Sequence, residues 1–217
     1  VIGTDIHESS KFTIGEYVSV NLDKLCNNQK YRDDHIIKLA SSCRSGLDVL
    51  INNAAVQIVK PIEKLSFEDW QLTMNVNFNS IFLLVKGLYE KIELNKGCVI
   101  NISSIHANLT KPGFSAYAAS KAGLVGLTKS LAVELGEKIR INAICPAAID
   151  TKMLHDSFTN TPEKLVTLKN YHPTKSIGMI SDVVNTALYI ASASNKFLNG
   201  SILNLDGGIS SCLHDPD

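Results

Sequence analysis

The sequence has little that would mark a nucleic-acid-binding or membrane-spanning protein. Its 21 basic and 21 acidic residues cancel, and such a balance leaves no basic surface to attract nucleic acid or an anionic membrane. No uninterrupted apolar run approaches the ~18–20 residues needed to span a bilayer. We therefore expect neither nucleic acid nor a membrane among its partners.

Cysteine is also scarce. The five cysteines are odd in number and never in CxxC spacing, which argues against a disulfide framework and against the common zinc motifs. Cys98 and Cys145 lie in apolar runs, where buried reduced thiols are expected. We therefore expect no metal site, and we expect a cytoplasmic protein or one of an organelle matrix.

The composition is that of one soluble globular domain. The chain has 217 residues, 45% of them hydrophobic and 19% charged, which is enough for a sizeable core. No internal repeat, low-complexity tract or linker divides it, so residues 1–217 are assigned to a single domain. The sequence opens on Val1, without a methionine and directly in the strand pattern "VIGTD". We therefore expect its true start to lie upstream.

Short apolar runs alternate with longer helical patterns along the chain. The runs are rich in Val and Ile and almost continuous in hydrophobicity, as in strands that helices cover on both faces. The predicted strands lie at 1–5, 16–21, 47–52, 97–103, 139–145 and 201–206. The predicted helices lie near 29–43, 66–94, 115–136 and 181–193. This alternation predicts an α/β, Rossmann-like fold with a doubly wound parallel sheet, in which ligands bind beyond the carboxyl ends of the strands.

Polar side chains follow three of the predicted strands. Asp5 could accept hydrogen bonds from an adenosine ribose and repel a 2′-phosphate, which favours NAD over NADP, or it could be a solvated turn residue. Asn52 and Asn53 could bond neighbouring backbone beneath a flat ring system, although such pairs are common in turns. Ser104 could donate to a substrate carbonyl or cap the next turn. Each signal alone is compatible with a structural role.

The segment "SAYAASKAGLVGLTKSLAVEL" places Tyr117 and Lys121 on one helix face, about 5–6 Å apart at their Cβ atoms. The pKa of a phenol, near 10, must fall by ~3 units for work near neutrality, at a cost of about 4 kcal/mol. One cation ~4 Å away supplies about that much at an effective dielectric near 20. The pair therefore predicts a proton donor and acceptor with its own activator. The structural alternative is a tyrosine packed on a lysine stem.

Three other segments could line a site at this edge of the sheet. Asn77 lies inside a predicted helix, where its amide could open the helix and hold a water, or could simply be exposed. Pro146 ends a strand and leaves backbone groups that could bond a carboxamide. Residues 152–180 follow, and we expect them to form a substrate lid.

Together these motifs resemble the short-chain dehydrogenase/reductase family in its classical form, from "VIGTD" to "NLDGG". "NNAA" matches the family's Asn-Asn-Ala-Gly, and "INISS" matches the strand that carries its catalytic serine. "YAASK" matches Tyr-x-x-x-Lys, and "CPAAIDT" matches the Pro-Gly segment that ends in Thr.

The resemblance implies a role for each matched residue. Ser104 would orient the substrate carbonyl, and Tyr117 would be the general acid/base. Lys121 would lower the pKa of the tyrosine and hold the nicotinamide ribose, and Asn77 would keep a proton-relay water. The positions implied to contact the dinucleotide are Asp5, Asn21, Leu22, Asn53, Ala54, Tyr117, Lys121, Ile149 and Thr151. The implied cofactor is NAD(P), with NAD preferred because of Asp5.

The predicted helices at 66–94 and 115–136 are apolar on more than one face, which indicates burial beyond a monomer's core. The apolar residues of the second are Leu124, Val125, Leu127, Leu131, Val133 and Leu135. The resemblance implies a homodimer or homotetramer formed through these helices.

The sequence departs from the family pattern in several places. Ala55 and Ala147 replace glycines, and Asn21 stands where many members have Asp. The family's first strand, its glycine-rich Thr-Gly-x-x-x-Gly-x-Gly turn and its first helix are absent from these 217 residues. Because that strand joins the two halves of the sheet, two strands would carry unpaired edges. We expect these 217 residues alone to fold poorly and to bind NAD weakly. We expect a longer parent chain to fold stably and to bind NAD well.

Two functional hypotheses follow. The first is an NAD(P)-dependent oxidoreductase that interconverts a small-molecule secondary alcohol and a ketone by hydride transfer, with Tyr117 as the general acid/base. The second is a non-catalytic dinucleotide-binding or scaffold protein that has kept the fold. The complete catalytic set favours the first, and the missing glycine turn favours the second. The substrate is not identified, since a sugar, a hydroxyacyl chain and a steroid-like ring all remain open.

Overall fold

The computed structural model describes residues 1–7, 15–158 and 161–213, and in these ranges six parallel strands alternate with helices. The strands are β1 (Ile2–Asp5), β2 (Glu16–Ser19), β3 (Val49–Asn52), β4 (Cys98–Ile102), β5 (Arg140–Pro146) and β6 (Ile202–Leu205). The first helices are α1 (Leu22–Asn27), α2 (Gln29–Ser42), α3 (Phe67–Met74), α4 (Ser80–Gly87) and α5 (Tyr89–Leu94). The remaining helices are α6 (Ser115–Leu135), α7 (Lys152–Phe158), α8 (Pro162–Tyr171) and α9 (Ile180–Ala191). The predicted Rossmann-like fold is confirmed.

The strands form two hydrogen-bonded groups. β1 pairs with β2, and the other four follow the order β3-β4-β5-β6, all in parallel. Within the described residues, β1 and β3 each bond to a strand on one side only, and the Ile51 side chain of β3 is 51% exposed. The two groups are separated where the resemblance places the family's first strand.

Hydrophobic cores cover both faces of the four-stranded sheet. Successive residues of a strand point to opposite faces. Val99 of β4 packs in a cluster that includes residues of α4, α5 and α6. Cys98 and Ile100 of the same strand pack in a second cluster against α9. This double burial explains why the strand sequences are almost continuously apolar.

The segment predicted to be helical near 66–94 is helical, but it is not one continuous α-helix. Ser66 and Asp69 form a capping box at the start of α3, as their spacing indicates. A π-helix, Asn75–Asn79, then separates α3 from α4, and Leu88 separates α4 from α5. The local opening expected at Asn77 is therefore present.

The segment expected to form a lid contains α7 and α8, and residues 159–160 of it lie outside the described ranges. Among the described residues, no helix combines the length and the apolar character that crossing a bilayer requires.

Candidate active site

The structure brings Ser104, Tyr117 and Lys121 together at the carboxyl end of β4. Ser104 lies two residues beyond β4, and the other two lie in the first two turns of α6. The Lys121 ammonium lies 5.7 Å from the centroid of the Tyr117 ring, and the Ser104 hydroxyl is close enough to the phenol to lower its pKa. All three side chains are buried, with at most 8% exposed. The strand end and the helix start therefore form one compact polar group.

The expected lowering of the Tyr117 pKa by Lys121 is not found. Burial raises the pKa of the phenol, and the hydrogen bond with Ser104 only partly offsets this rise. The edges of the tyrosine ring meet His106 and Phe114, at centroid distances of 5.7 and 6.2 Å. Lys121 is not among the groups that shift this pKa, and its ammonium donates to a backbone carbonyl.

Lys121 is buried among backbone carbonyls and apolar strands. It is 2% exposed and its Nζ donates a hydrogen bond to the carbonyl oxygen of Ile102 (2.7 Å). Burial lowers the pKa of this amine to about 8, and the Cys145 thiol opposes the shift. The lysine therefore loses its proton near pH 8, well below the pH at which a solvated lysine does so.

Two neighbouring serines at the end of β4 make different hydrogen bonds. The Ser103 hydroxyl donates to the backbone carbonyl of Lys121 (2.9 Å), which fastens α6 to the strand. The Ser104 hydroxyl accepts from the backbone N–H of His106 (3.2 Å) and caps the short helical turn Ile105–Ala107. Its O–H hydrogen remains available to a ligand or to Tyr117.

Asn77 anchors the segment that follows β3. Its Oδ1 accepts from the backbone N–H of Val56 (2.8 Å), and its Nδ2 donates to the Val56 carbonyl (2.9 Å) and to Ser120 Oγ (3.1 Å). Both amide hydrogens are thus donated within the protein, and the side chain is fully buried. No amide hydrogen is left for a water, which differs from the water-holding role expected for this side chain.

The predicted dinucleotide positions lie along the carboxyl ends of the strands. Asp5 and Asn21 lie at the β1–β2 end, where the Asn21 side chain caps α1 through the backbone N–H of Lys24 (2.9 Å). Asp5 is exposed and accepts from the backbone N–H of His7 (3.2 Å). Leu22 begins α1 and packs against the core.

The other predicted positions follow β3 and β5. Asn53 and Ala54 are exposed, whereas Asn52 is held below them by a bond to Asn101 Oδ1 (2.8 Å). Ile149 forms an isolated bridge with Gly178. The Thr151 hydroxyl donates to the Ile149 carbonyl and accepts from the backbone N–H of Leu154, both at 3.3 Å.

An open cleft lies between the segment after β3 and α7. Its volume is about 520 Å³, and it is lined by Gln57 and Val59 on one side and by Lys152, Met153, Asp156 and Ser157 on the other. A volume of this size accommodates a small organic molecule.

Two further buried serines support the site. Ser103, which follows the same strand as Ser104, bonds to the backbone of α6, and Ser120, one of the small residues of "YAASK", bonds to Asn77. Their hydroxyls beside Ser104 and Tyr117 are visible in the sequence, but their partners are not. His106 stacks on Phe114 at 4.3 Å between ring centroids, and burial together with Lys111 lowers its pKa to about 4.

The donors and acceptors present fit the nicotinamide half of a dinucleotide. Among the described residues, the Lys121 ammonium donates a single hydrogen bond, and two of its N–H groups remain for the hydroxyls of a ribose. The exposed Asn53–Ala54 segment and the segment from Ala147 to Thr151 follow β3 and β5, the strands on either side of β4. The arrangement defines a class of protein, the Rossmann-fold oxidoreductases that use a nicotinamide cofactor.

Comparison with known proteins agrees with this class. The family model described as "Enoyl-(Acyl carrier protein) reductase" matches residues 29–210. A 3beta-hydroxysteroid dehydrogenase 1 from Eggerthella lenta is 34% identical over 81% of this chain and 68% of its own length. The carbonyl reductase [NADPH] 2 of Sus scrofa is 35% identical over 75% of this chain and 67% of its own. The chain thus spans about two thirds of these relatives.

The solved structures agree as well. That of 4-hydroxyisoleucine dehydrogenase complexed with NADH superposes with a TM-score of 0.85 and 27% identity, over 98% of this chain and 88% of the other. The chain belongs to the short-chain dehydrogenase/reductase family, and the relatives named here are dehydrogenases and a reductase.

Proposed function

We propose that the protein interconverts a small-molecule secondary alcohol and a ketone, with Tyr117 as the general acid/base. The observation that carries the proposal is the convergence of three buried groups: a hydroxyl, a phenol and an amine. Buried titratable groups with shifted pKa values are typical of catalytic sites. The open cleft beside α7 would receive the substrate, with residues 152–180 as its lid.

A bound NAD(P) would supply the hydride acceptor for the oxidation and, in its oxidised form, would add positive charge to the site. In the oxidation, the Tyr117 phenolate takes the alcohol proton while the carbon loses hydride, so that a ketone forms. The Ser104 O–H donates a hydrogen bond to the substrate oxygen throughout. In the reverse direction the phenol returns the proton.

Lys121 would assist this transfer in two ways. Its free N–H groups would hold the ribose hydroxyls, and its charge would act on the phenol once the positive nicotinamide is also present. Because the pKa of Tyr117 is raised in the structure, we infer that the lysine alone does not activate the tyrosine. An oxidised nicotinamide cofactor, when bound, would supply the additional positive charge.

Asn77 would act as a positioning residue. It holds the backbone of Val56 in place, and this fixes the exposed Asn53–Ala54 segment against which the nicotinamide ring would lie. We propose this role in place of a direct bond from its amide to a water.

We further propose a preference for NAD, because the Asp5 carboxylate at the end of β1 is exposed and would face a 2′-phosphate with like charge. A homodimer or homotetramer formed through α3–α4 and α6 is proposed on the exposed apolar side chains of these helices, Phe67, Leu72, Phe82 and Val133.

The test is a panel of secondary alcohols from three classes, sugars, hydroxyacyl compounds and steroids, with NAD⁺ or NADP⁺. We expect reduction of the dinucleotide with at least one class, faster with NAD⁺. Asp5→Ser should reduce the NAD⁺ preference by about tenfold, as expected for ~1.4 kcal/mol of charge repulsion. Asp33→Ser, which removes an exposed carboxylate of α2, should leave the preference for NAD⁺ unchanged. Dinucleotide binding without turnover of any alcohol or ketone would favour the non-catalytic class.

A further inference from the structure

A second cavity, separate from the open cleft, lies at the carboxyl ends of β5 and β6. Its volume is about 160 Å³, too small for a nucleotide or a steroid. Its polar lining comes from His172, Thr174, Ser176, Asp182 and Asp206. His172, Thr174 and Ser176 belong to the segment proposed as a lid, but among the described residues none of the five hydrogen-bonds to Ser104, Tyr117 or Lys121.

His172 leaves a buried hydrogen-bonding atom unused in this cavity. The side chain is 2% exposed, and its Nδ1 lies 2.9 Å from the carbonyl oxygen of Leu168. Because a carbonyl only accepts, this bond assigns the proton of the neutral ring to Nδ1 and leaves a lone pair on Nε2. Within the described part of the chain, Nε2 is buried without a partner. An unpartnered buried acceptor destabilises the folded state, and a ligand that supplies a hydrogen-bond donor would remove this penalty.

The other polar groups of the cavity also accept hydrogen bonds and carry negative charge. Burial opposes ionisation of Asp206, but bonds from the Ser210 hydroxyl and the Gly208 backbone N–H outweigh it and lower the pKa of this carboxyl. Asp182 uses one oxygen to cap α9 through the N–H of Met179 (2.7 Å). Its other oxygen has no hydrogen bond among the described residues.

Besides His172, which helps to lower the pKa of the Asp206 carboxyl, no basic side chain of the described lining balances these carboxylates. The described lining of the cavity contains no lysine or arginine. Lys175, next in sequence to two lining residues, donates instead to the carbonyl of Asn170 (2.9 Å). A ligand that fits must therefore bring both positive charge and several hydrogen-bond donors.

An organic cation meets these requirements better than a metal ion. In the ranges that the structure covers, His, Cys, Asp and Glu side chains form no group of three able to hold a metal. A guanidinium ion is small, planar and always charged, and its N–H groups match carboxylate oxygens in pairs. We propose that this cavity binds the guanidinium group of a small organic cation, with His172 Nε2, Asp206 and Asp182 as acceptors.

The test is calorimetric titration with methylguanidinium chloride at constant ionic strength. We expect saturable binding to the wild-type protein. Tetramethylammonium, which has the charge but no donor, should give none. His172→Asn should weaken binding at least tenfold, since its amide can still donate to Leu168 while the Nε2 acceptor is lost. His35→Asn is the matched control, because His35 Nδ1 bonds the carbonyl of Tyr31 in the same way (2.8 Å).

Three results would overturn the proposal: no saturable binding, equal binding to the His172→Asn variant, or equal binding of tetramethylammonium. The first would mean that the cavity holds water only. If His172→Asn does not fold, Asp182→Asn provides the same test, because the amide oxygen can still cap α9 while the charge is removed. That variant should also bind methylguanidinium more weakly, and unchanged affinity would contradict the proposed site.

Discussion

At the scale of single residues, burial dominates the electrostatics of the candidate site. It raises the pKa of Tyr117 and lowers that of Lys121 to about 8. Both shifts favour the neutral forms of the two side chains. Before the cofactor binds, Tyr117 is therefore a neutral phenol, and Lys121 loses its proton more readily than a solvated lysine. Charge supplied by the bound nicotinamide would then favour the phenolate.

The lowered pKa of Lys121 makes a prediction about stability. Its folded-state pKa, about 8, lies below the ordinary 10.5, so the unfolded chain binds the proton more tightly. The contribution of Lys121 to stability therefore rises as the pH increases from about 8 to 10.5. Below pH 8, where the amine is charged, its burial lowers the free energy of unfolding by about 3 kcal/mol. We expect Lys121→Met to be more stable than wild type at pH 7, with a gap that shrinks by pH 10.

Urea unfolding at both pH values measures this gap. Lys129→Met is the control, because Lys129 is exposed on the same helix and its replacement should have no pH-dependent effect. Other groups that titrate in this range are shared by wild type and variant, so they cancel in the comparison. A gap of the same size at pH 7 and pH 10 would show that burial of the lysine carries no such cost.

At the scale of elements, the π-helix Asn75–Asn79 connects the helix layer to the segment after β3. Its backbone opens at the point where the Asn77 side chain reaches Val56, 21 residues away in sequence. Single π-helical turns inside α-helices are often found at functional sites. The π-helix therefore places the Asn77 side chain where it bonds the backbone of Val56.

This connection predicts the effect of Asn77→Leu. The leucine would fill a similar space but leave the N–H and C=O of Val56 without partners. We expect a loss of about 2–4 kcal/mol in the free energy of unfolding and weaker dinucleotide binding, measured by urea unfolding and by fluorescence titration. Asn79→Ala, in the same π-helix but exposed, should cost less than about 1 kcal/mol. Equal effects of the two substitutions would remove the proposed positioning role.

The elements themselves could be read from the sequence, and so could the local opening of the helix at Asn77, but long-range contacts could not. Continuous Val/Ile runs locate β4 and β5 because both faces of these strands are buried. The partner of Asn77 escapes a local pattern because Val56 lies 21 residues away in sequence. The raised pKa of Tyr117 escapes it for the same reason, since the desolvating rings of His106 and Phe114 are brought in by tertiary packing. The unpartnered Nε2 of His172 likewise appears only once the turn after β6 lies beside the end of α8.

At the scale of the whole molecule, apolar side chains on α6 and the preceding helices remain exposed. Val133 of α6 is 88% exposed and Phe82 of α4 is 44% exposed. If these helices form the proposed subunit interface, an arginine at position 133 should oppose assembly. We expect Val133→Arg to lower the oligomeric mass measured by sedimentation velocity. Val166→Arg, on α8 and 60% exposed in the wild type, should not. Identical masses for both variants would place the interface elsewhere.

We propose that the Tyr117 phenol transfers the proton. Kinetics of two phenylalanine variants, Tyr117→Phe and Tyr89→Phe, test this role. Tyr89 is the matched control, since its hydroxyl accepts a bond from Lys138 (3.0 Å) outside the site. With the best substrate of the panel, Tyr117→Phe should lose at least about 100-fold in kcat/KM while its dissociation constant for NAD⁺ stays within about threefold. Tyr89→Phe should keep both values. Turnover by Tyr117→Phe at a rate near that of wild type would contradict the account.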